Sequence, residues 1–497
     1  MKEKIENFKK LQKKLHAYEH AHSMLYFDAL TAMPKGAFSA LGDTIEILTE
    51  EKYKIETAKE TVDLVNELYE NRDNLDFITK REAEEFYERQ YKLSKIPMEE
   101  YVAYQVTLND ASAAWEKAKL TNDYELFAPH LEKIIAYQKN YIKYLETDEL
   151  KGYDVLLNDY EKGFTVEVLD EFFNKIKEEI IPIIKKVSQI KDNEEILEGT
   201  FDINKQKELS DYLMDVIGLD KNHCAITETE HPFTIEFSKD DVRITTHYHE
   251  DSLASNIYSV VHEGGHAMYE LGIGDNLRNS VLAHGVSMGI HESQSRFWEN
   301  LIGRSLPFIK KVYPKIQELF PEKFANVSAE DFYRAVNFSK PGLIRIEADE
   351  LTYSIHVLIR YEIEKMIFSD KVTVADLPRV WNELYKEYLG VDVPNNSQGV
   401  LQDTHWSGGS FGYFPSYSLG SAYASQIVKT MEKEIPVWES VEKGELSVVR
   451  NWLIDKIYQH GCLYTPAQLI ENICGEKFTA QYYIDYLKEK FTDLYNL

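Results

Sequence analysis

Residues 251–271 read DSLASNIYSVVHEGGHAMYEL, the stretch with the most distinctive pattern in the chain. Its apolar residues recur at the spacing of one helix face: Leu253, Ile257, Val260 and Val261. The stretch is therefore predicted to form a helix. His262 and His266 are four residues apart, so their imidazoles lie one turn apart on the same face of that helix.

Two imidazoles on one helix face can converge on a single metal ion. A third ligand is available in HESQSR (291–296), where Glu292 precedes an apolar pair. Two histidines and one carboxylate leave a fourth coordination place for water, which is the catalytic form of a zinc site. We therefore predict that His262, His266 and Glu292 bind one zinc ion per chain, and cobalt or manganese also suits such ligands.

The chemistry expected of this site is metal-assisted hydrolysis. Zinc lowers the pKa of its water to about 7. Glu263 stands beside the first histidine, where it is predicted to take a proton from that water and to return it to a leaving amine. Each ligand histidine should donate its other N–H group to a partner, for which Asp349 and Glu270 are candidates.

The two glycines between the histidines are unusual for a helix that serves structure alone. In a helix interior, each glycine costs about 1 kcal/mol relative to alanine. Without side chains, Gly264 and Gly265 are expected to let either substrate or a neighbouring strand approach the helix backbone.

Most of the remaining sequence also has a helical pattern, and clear examples are 62–70, 169–187 and 483–491. The exception is 231–248, where HPFTIEF and VRITTHY flank a polar SKDD and predict a β-hairpin. A mobile glycine-rich loop is predicted around SGGSFGYFPSY (407–417). No linker or repeat divides the chain, so we expect a single intertwined domain over 1–497.

The charge balance excludes several classes of partner. The chain has 497 residues, with 84 acidic and 56 basic side chains and a formal net charge of −28. Nucleic acid and anionic membranes repel such a surface, so neither is expected as a partner. The three cysteines and the charged start MKEKIENFKK, which lacks a signal sequence, favour a reducing, cytoplasmic location.

Further motifs accompany the HEGGH helix in a definite order: HPF at 231–233, DVRIT at 241–245, IRIEAD at 344–349, GVLQDTHW at 399–406 and GYFPSYSLG at 412–420. Together with HEGGHAMYE and HESQSR, this series resembles the M32 metallocarboxypeptidases of the thermostable carboxypeptidase Taq type. The stretch 26–43 is a diverged match, with Phe27 in place of the usual tryptophan. His247 and Leu271 also stand where an arginine and a glutamine are more usual, which leaves the fine substrate preference open.

The resemblance implies a mainly α-helical fold of the gluzincin type, similar to neurolysin and angiotensin-converting enzyme. Such a fold has two helical lobes, a deep active-site groove and a small β-hairpin beside the zinc helix. The resemblance also implies an enzyme that removes single C-terminal amino acids from peptides with broad specificity. A homodimer is usual in the family.

Residue roles follow from the matching motifs. The three predicted ligands keep their role, and Glu263 is the general base. His405 and Tyr417 match residues that assist the oxyanion or hold substrate, and Arg345 matches the residue that binds the free carboxylate of the substrate. Arginine suits that task because it meets a carboxylate with two parallel hydrogen bonds.

These last roles have structural alternatives. Arg345 could instead form an ion pair with Glu347 or Asp349. His405 could stack beside Trp406 in the core, although the glycine-rich loop that follows favours a functional role.

Two residues near the predicted hairpin are weaker candidates for binding substrate. Arg243 is also compatible with a structural salt bridge. His231 precedes Pro232 and so lies in extended backbone, where it would contact substrate or cap the strand. One strand, either HPFTIEF or VRITTHY, is expected to pair with an extended peptide.

Two other functions remain open from the sequence. The first is an endo-oligopeptidase or dipeptidyl carboxypeptidase on the same fold, which the pattern of cleavage products would distinguish. The second is a metal-binding or peptide-binding protein without catalysis. Glu263 argues against the second, because binding alone does not need a proton acceptor beside the ligands.

Overall fold

A computed structural model of the chain describes residues 1–190 and 194–497. The described residues form the following α-helices: α1 Lys2–Thr31, α2 Phe38–Thr57, α3 Lys59–Glu70, α4 Phe77–Lys95, α5 Met98–Thr121, α6 Ala128–Leu145, α7 Tyr153–Tyr160, α8 Val166–Val187, α9 Ile203–Ile217, α10 Leu253–Leu271, α11 Met288–Arg296, α12 Leu306–Leu319, α13 Pro321–Phe324, α14 Ala329–Val336, α15 Glu350–Phe368, α16 Leu377–Tyr388, α17 Pro415–Glu434, α18 Val437–Lys443, α19 Leu446–Lys456, α20 Pro466–Cys474 and α21 Gln481–Tyr495. They also form the strands β1 Cys224–Glu228, β2 Thr234–Ser238 and β3 Asp241–Thr246. The predicted mainly helical fold with a small sheet is therefore confirmed.

The sheet has the strand order β1-β3-β2, with β1 parallel and β2 antiparallel to β3. The hairpin predicted over 231–248 is confirmed as β2 and β3, whereas β1 has no counterpart in the prediction. Because β3 has a neighbouring strand on each side, VRITTHY has no free edge to receive a peptide, which rules out one of the two strands predicted as alternatives. HPFTIEF supplies β2, which lies at an edge of the sheet.

The predicted HEGGH helix is confirmed as α10. Ser252 caps its start by accepting a hydrogen bond from the Ser255 amide at 3.4 Å. Its apolar face, which includes the fully buried Val260 and Val261, belongs to a hydrophobic core that also draws side chains from α5 through α21. A smaller core joins α1, α3 and α4. None of the helices among the described residues is long and apolar enough to cross a lipid bilayer.

The glycine pair of α10 allows helices, rather than a strand or substrate, to pack closely. A Cβ atom on Gly265 would lie 2.6 Å from the carbonyl oxygen of Gln294 in α11. A Cβ atom on Gly264 would lie 2.5 Å from Cδ1 of Ile217 in α9. The predicted reason for the glycines is therefore wrong, since helices occupy both places. Contact between the backbones of α10 and α11 brings Glu292 beside the two histidines.

The helix α11 is held from several directions. A Cβ atom on Gly420 in α17 would lie 2.6 Å from Cγ of Glu292, so α17 also packs directly against the predicted ligand. At its start, the buried Glu161 accepts a hydrogen bond from the Gly289 amide at 3.0 Å. A π-helical segment, Phe297–Gly303, continues α11, and such segments are frequent at functional sites.

The predicted glycine-rich loop ends earlier than expected. Pro415 begins α17, so Tyr417 lies in the first turn of a helix. Proline suits this position because the missing N–H group would have no partner inside the helix. Before it, Phe411 and Phe414 are each 1% exposed, so the loop is packed into the core.

Candidate metal centre and substrate groove

The three predicted ligands converge. His262, His266 and Glu292 each offer one ligand atom, and these atoms lie within 4.8 Å of one another. The Nε2 atoms of His262 and His266 are 3.9 Å and 3.6 Å from Oε2 of Glu292. Ligand atoms about 2 Å from one zinc ion are at most about 4 Å apart, so these separations fit a shared ion. Burial lowers the pKa of His266 to about 4, which leaves its imidazole neutral and able to bind a metal near pH 7.

The second nitrogen of each histidine has a definite partner. Nδ1 of His262 lies 2.8 Å from Oε2 of Glu299. Nδ1 of His266 lies 2.6 Å from Nδ1 of His291, whose Nε2 is 2.8 Å from Oε1 of Glu270. If both Nδ1 atoms of His262 and His266 donate, both Nε2 atoms present lone pairs to a metal, which is the usual arrangement of a ligand histidine.

Of the two partners predicted for the histidines, only Glu270 belongs to this network, and it reaches His266 through His291. Asp349 instead caps α15 by accepting hydrogen bonds from the amides of Leu351 at 2.9 Å and Thr352 at 3.1 Å. That candidate is therefore wrong. Glu299 was not predicted from the sequence. The signal that could have identified it is its position two helical turns after Glu292.

Arg296 holds the carboxylate of Glu292. Its Nε atom donates to Oε1 at 2.7 Å, which leaves Oε2 facing the histidines. Burial acts to raise the pKa of Glu292, but Arg296 and the histidines outweigh it and hold the pKa well below its usual range. The guanidinium of Arg296 also lies 4.2 Å from the ring centroid of Tyr353, so its position is fixed on two sides.

Glu263 lies beside the ligands and is 7% exposed. Its Oε2 atom accepts a hydrogen bond from Oγ1 of Thr234, on the edge strand β2, at 2.6 Å. Burial raises the pKa of Glu263 above its ordinary value, while His262 and the Thr234 hydrogen bond act in the opposite direction. A carboxylate in this state can accept a proton from water and release it again.

Two cavities meet at this centre, one of about 790 Å³ and one of about 890 Å³. They share five lining residues: Pro232, His262, Glu263, Glu292 and Tyr417. The smaller cavity is also lined by Phe233, Thr234 and Glu236, so the sheet edge follows it. A groove that continues on both sides of the centre suits a chain-like substrate.

The structure separates the two weaker candidates. His231 is exposed and lines the larger cavity next to Pro232. Arg243 is not among the residues that line either cavity. Its Nε and Nη2 atoms donate to Asp241 at 3.0 Å and 2.9 Å, and its guanidinium lies 4.5 Å from the ring centroid of Phe237. Arg243 therefore forms a structural salt bridge, which was the alternative to a role in binding substrate.

Arg345 lines the larger cavity and is 5% exposed. Neither Glu347 nor Asp349 is its ion-pair partner. Instead, Nε and Nη2 lie 3.0 Å and 2.9 Å from Oδ1 of Asp403. Nη1 donates to the hydroxyl of Tyr353 at 3.3 Å. The guanidinium is therefore held at the cavity wall by a residue from the QDTHW motif.

His405 and Tyr417 form a pair, with Nε2 of His405 3.0 Å from the tyrosine hydroxyl. Tyr417 lines both cavities, and His405 reaches the groove through it. The imidazole packs 4.4 Å from the ring centroid of Phe414, while Trp406 donates its indole N–H to Glu364 at 2.8 Å. Burial lowers the pKa of His405 to about 4, so it is neutral near pH 7.

Comparison with known proteins identifies relatives over nearly the whole chain. The family model described as carboxypeptidase Taq (M32) metallopeptidase matches residues 7–491. Carboxypeptidase 1 of Bacillus subtilis is 42% identical over 491 residues, which cover 98% of each chain. The crystal structure of an M32 carboxypeptidase from Deinococcus radiodurans R1 is 30% identical and covers 99% of this chain and 100% of its own, with a TM-score of 0.96. The Apo-Mg structure of Pyrococcus furiosus carboxypeptidase is 33% identical and covers 98% and 99% of the two chains, with a TM-score of 0.95.

Proposed function

We propose, from the premise that this chain belongs to the carboxypeptidase Taq (M32) metallopeptidase family, that His262, His266 and Glu292 bind a catalytic zinc ion. Membership of the family makes the chain a metallocarboxypeptidase. The observation that carries the proposed site is the convergence of two imidazoles and one carboxylate next to Glu263. These donor types suit zinc, and cobalt or manganese can occupy the same ligands.

Glu263 performs the proton transfers of the proposed reaction. When bound, the metal polarises a water molecule and the scissile carbonyl. Glu263 takes one proton from the water as the water oxygen bonds to the carbonyl carbon. The C–N bond then breaks, and Glu263 gives the proton to the leaving nitrogen, which restores its carboxylate. Thr234 keeps Oε2 of Glu263 in place through the 2.6 Å hydrogen bond.

Arg345 accounts for the release of single residues. Its guanidinium lies on the wall of the larger cavity, where it binds the free carboxylate of a peptide. Fixing the carboxylate also fixes which peptide bond reaches Glu263. Because this recognition uses the main chain of the last residue, it accepts many side chains, which supports a broad specificity.

Other parts of the groove also act on the peptide in this proposal. Tyr417, shared by both cavities, donates a hydrogen bond to the carbonyl oxygen as negative charge develops there. His405 holds the hydroxyl of Tyr417. The edge strand β2 in the smaller cavity and the exposed His231 in the larger cavity contact the extended peptide.

We extend the proposal to the organisation of the protein. Residues 1–497 form a single catalytic domain with two helical lobes, and the protein works as a homodimer on cytoplasmic peptides. The large core that joins α5 through α21 supports a single domain. The three free cysteines, Cys224, Cys462 and Cys474, suit a reducing compartment.

Glu263→Gln tests the proposed mechanism. The variant keeps the size of the side chain and leaves the three ligands intact, so we expect it to retain the metal. We expect the rate of hydrolysis to fall about 100-fold to 10,000-fold, because glutamine cannot accept the proton. Glu230→Gln, which changes an exposed carboxylate on the larger cavity, serves as the matched control. A metal-loaded Glu263→Gln enzyme with normal turnover would contradict the mechanism.

The products decide between exopeptidase and endopeptidase action. Mass spectrometry of a digested peptide should show a ladder that shortens by one residue at a time from the C-terminus. Steps of two residues, or internal fragments, would instead support the dipeptidyl carboxypeptidase or endo-oligopeptidase alternative. A protein that binds metal but yields no products would support the non-catalytic alternative.

A further inference from the structure

Arg360 is an arginine in α15 that is 0% exposed. Its Nε atom donates to Oδ2 of Asp403 at 2.7 Å. Nη1 donates to the carbonyl of His356 at 2.7 Å, and Nη2 donates to Oε1 of Gln402 at 2.7 Å. The guanidinium also lies 4.4 Å from the ring centroid of Trp381. Every nitrogen of this side chain is thus engaged inside the protein.

Asp403 is shared between Arg360 and Arg345. Its Oδ2 atom accepts a hydrogen bond from Arg360, and its Oδ1 atom accepts one from Nε of Arg345 and lies 2.9 Å from Nη2 of the same guanidinium. Gln402 links the same pair, because its Oε1 atom also accepts a hydrogen bond from the Arg345 amide at 2.9 Å. Asp403 and Gln402 therefore connect Arg360 to Arg345 at the wall of the groove.

The cluster carries more positive than negative charge. Two guanidinium groups share one carboxylate, and burial keeps the neighbouring imidazoles neutral near pH 7: the pKa of His356 lies well below its usual value, and the pKa of His405 is about 4. An uncompensated charge away from water is strongly unfavourable. Of Arg345, Arg360 and Asp403, only Arg345 lines one of the two cavities among the described residues, so an anion that balances the excess charge would bind there.

Arg345 also has N–H donors available to bind an anion. An arginine side chain has five N–H donors. Asp403 accepts the hydrogen bond from Nε and forms an ion pair with Nη2 at 2.9 Å, and Tyr353 accepts one from Nη1. Within the described residues, one donor on each of Nη1 and Nη2 is left without a partner. Two parallel donors on one guanidinium match a carboxylate.

We propose that Arg360 is a positioning residue that sets the affinity of the groove for the terminal carboxylate of a peptide, by sharing Asp403 with Arg345. Without Arg360, Asp403 would neutralise Arg345 and leave it a weak anion site. With Arg360 present, Asp403 fixes the direction of the Arg345 guanidinium, and one positive charge remains for the substrate. The inference rests on the proposed role of Arg345.

The test compares two substitutions in the metal-loaded enzyme. Arg360→Gln removes the charge, and Arg360→Lys retains it. The probes are 3-phenylpropionate, which ends in a carboxylate, and its neutral analogue 3-phenylpropionamide, each measured as a competitive inhibitor. We expect Arg360→Gln to weaken inhibition by the carboxylate about 10-fold to 100-fold, because an Arg345 neutralised by Asp403 makes weaker charge-assisted hydrogen bonds to the ligand. Inhibition by the amide should change little. The Arg360→Lys enzyme should retain most of the affinity for the carboxylate.

The same difference between ligands with a free carboxylate and neutral ligands should appear in the kinetics of peptide hydrolysis. With Arg360→Gln, KM should rise for peptides with a free carboxylate and stay constant for amidated peptides, while kcat changes little. If Arg360→Gln does not fold, Gln402→Glu tests the same charge balance, because it adds a negative charge beside both arginines. That variant should also weaken the carboxylate probe and spare the amide.

Several outcomes would overturn the inference. Unchanged inhibition by 3-phenylpropionate in both Arg360→Gln and Gln402→Glu would do so, as would equal losses for Arg360→Gln and Arg360→Lys. Arg345→Ala separates this failure from failure of the proposed function. If Arg345→Ala abolishes the preference for carboxylate and Arg360→Gln does not, only the role of Arg360 is wrong. If Arg345→Ala retains the preference, the carboxylate site itself is misassigned.

Discussion

The Nδ1 atom of His262 lies 2.8 Å from Oε2 of Glu299. Glu299 belongs to the π-helical segment that continues α11, the helix that supplies Glu292. One continuous helical element therefore provides both Glu292, a predicted metal ligand, and Glu299, the carboxylate that orients a second predicted ligand, His262. Oε1 of Glu299 lies 3.3 Å from Nη2 of Arg304, which fixes the carboxylate from its far side.

Glu299→Gln should weaken metal binding without changing the ligands. The amide oxygen can still accept a hydrogen bond from His262, but it lacks the negative charge that makes the imidazole a stronger ligand. We expect the metal affinity to fall about 10-fold to 100-fold, as measured by competition with a chelator. Glu350→Gln, at a buried carboxylate that pairs with Lys490, is the control for general destabilisation. Equal metal affinity in both variants would remove Glu299 from the site.

Gly265→Ala should disturb the site by separating two helices. The new Cβ atom would lie 2.6 Å from the carbonyl oxygen of Gln294, which is backbone and cannot rotate away. The displacement of α11 should move Glu292 from the histidines and destabilise the fold by about 1–3 kcal/mol. Gly264→Ala meets the end of the Ile217 side chain instead, which can change rotamer. We therefore expect metal affinity to fall clearly in the first variant and much less in the second, and the reverse order would contradict this account of the packing.

The sequence predicted the parts of the site that depend on local spacing. A helix over 251–271 follows from its apolar period, and the hairpin over 231–248 follows from its β-branched flanks around a polar turn. The convergence of the three ligands required only that Glu292 lie on a second helix packed against the first. The helix and the hairpin are each encoded by residues close together in the chain, which is why they could be recognised without coordinates.

The supporting contacts could not be predicted, because they join residues that are distant in the chain. Asp403 pairs with Arg345 across 58 positions, whereas the sequence suggested the nearby Glu347 or Asp349. Thr234 reaches Glu263 across 29 positions, through a sheet edge whose strand order depends on β1. Proximity in sequence is a poor guide to partners once helices pack against one another.

Thr234→Val should change the pH dependence of catalysis. The Thr234 hydroxyl hydrogen-bonds the carboxylate of Glu263 at 2.6 Å and opposes the rise in pKa caused by burial. Without this hydrogen bond, the pKa of Glu263 should rise further. Since the proton acceptor must be ionised, activity should be lost at low pH first, and the acidic limb of the kcat/KM profile should move to higher pH. Thr227→Val, in β1 of the same sheet, is the matched control, and an acidic limb that stays in place or moves to lower pH would refute the role of Thr234.

Tyr417→Phe isolates the contribution of one hydroxyl group. The ring should stay in place, because it packs in the first turn of α17, with the Arg345 guanidinium 4.7 Å from its centroid. If the hydroxyl stabilises negative charge on the carbonyl oxygen, its loss should lower kcat about 100-fold and leave KM and metal content nearly unchanged. Tyr464→Phe, at another tyrosine that lines the smaller cavity, controls for the loss of a hydroxyl in the same groove. A rise in KM at constant kcat would show instead that Tyr417 binds the substrate and the transition state equally, because a group that acts only in the transition state must change turnover.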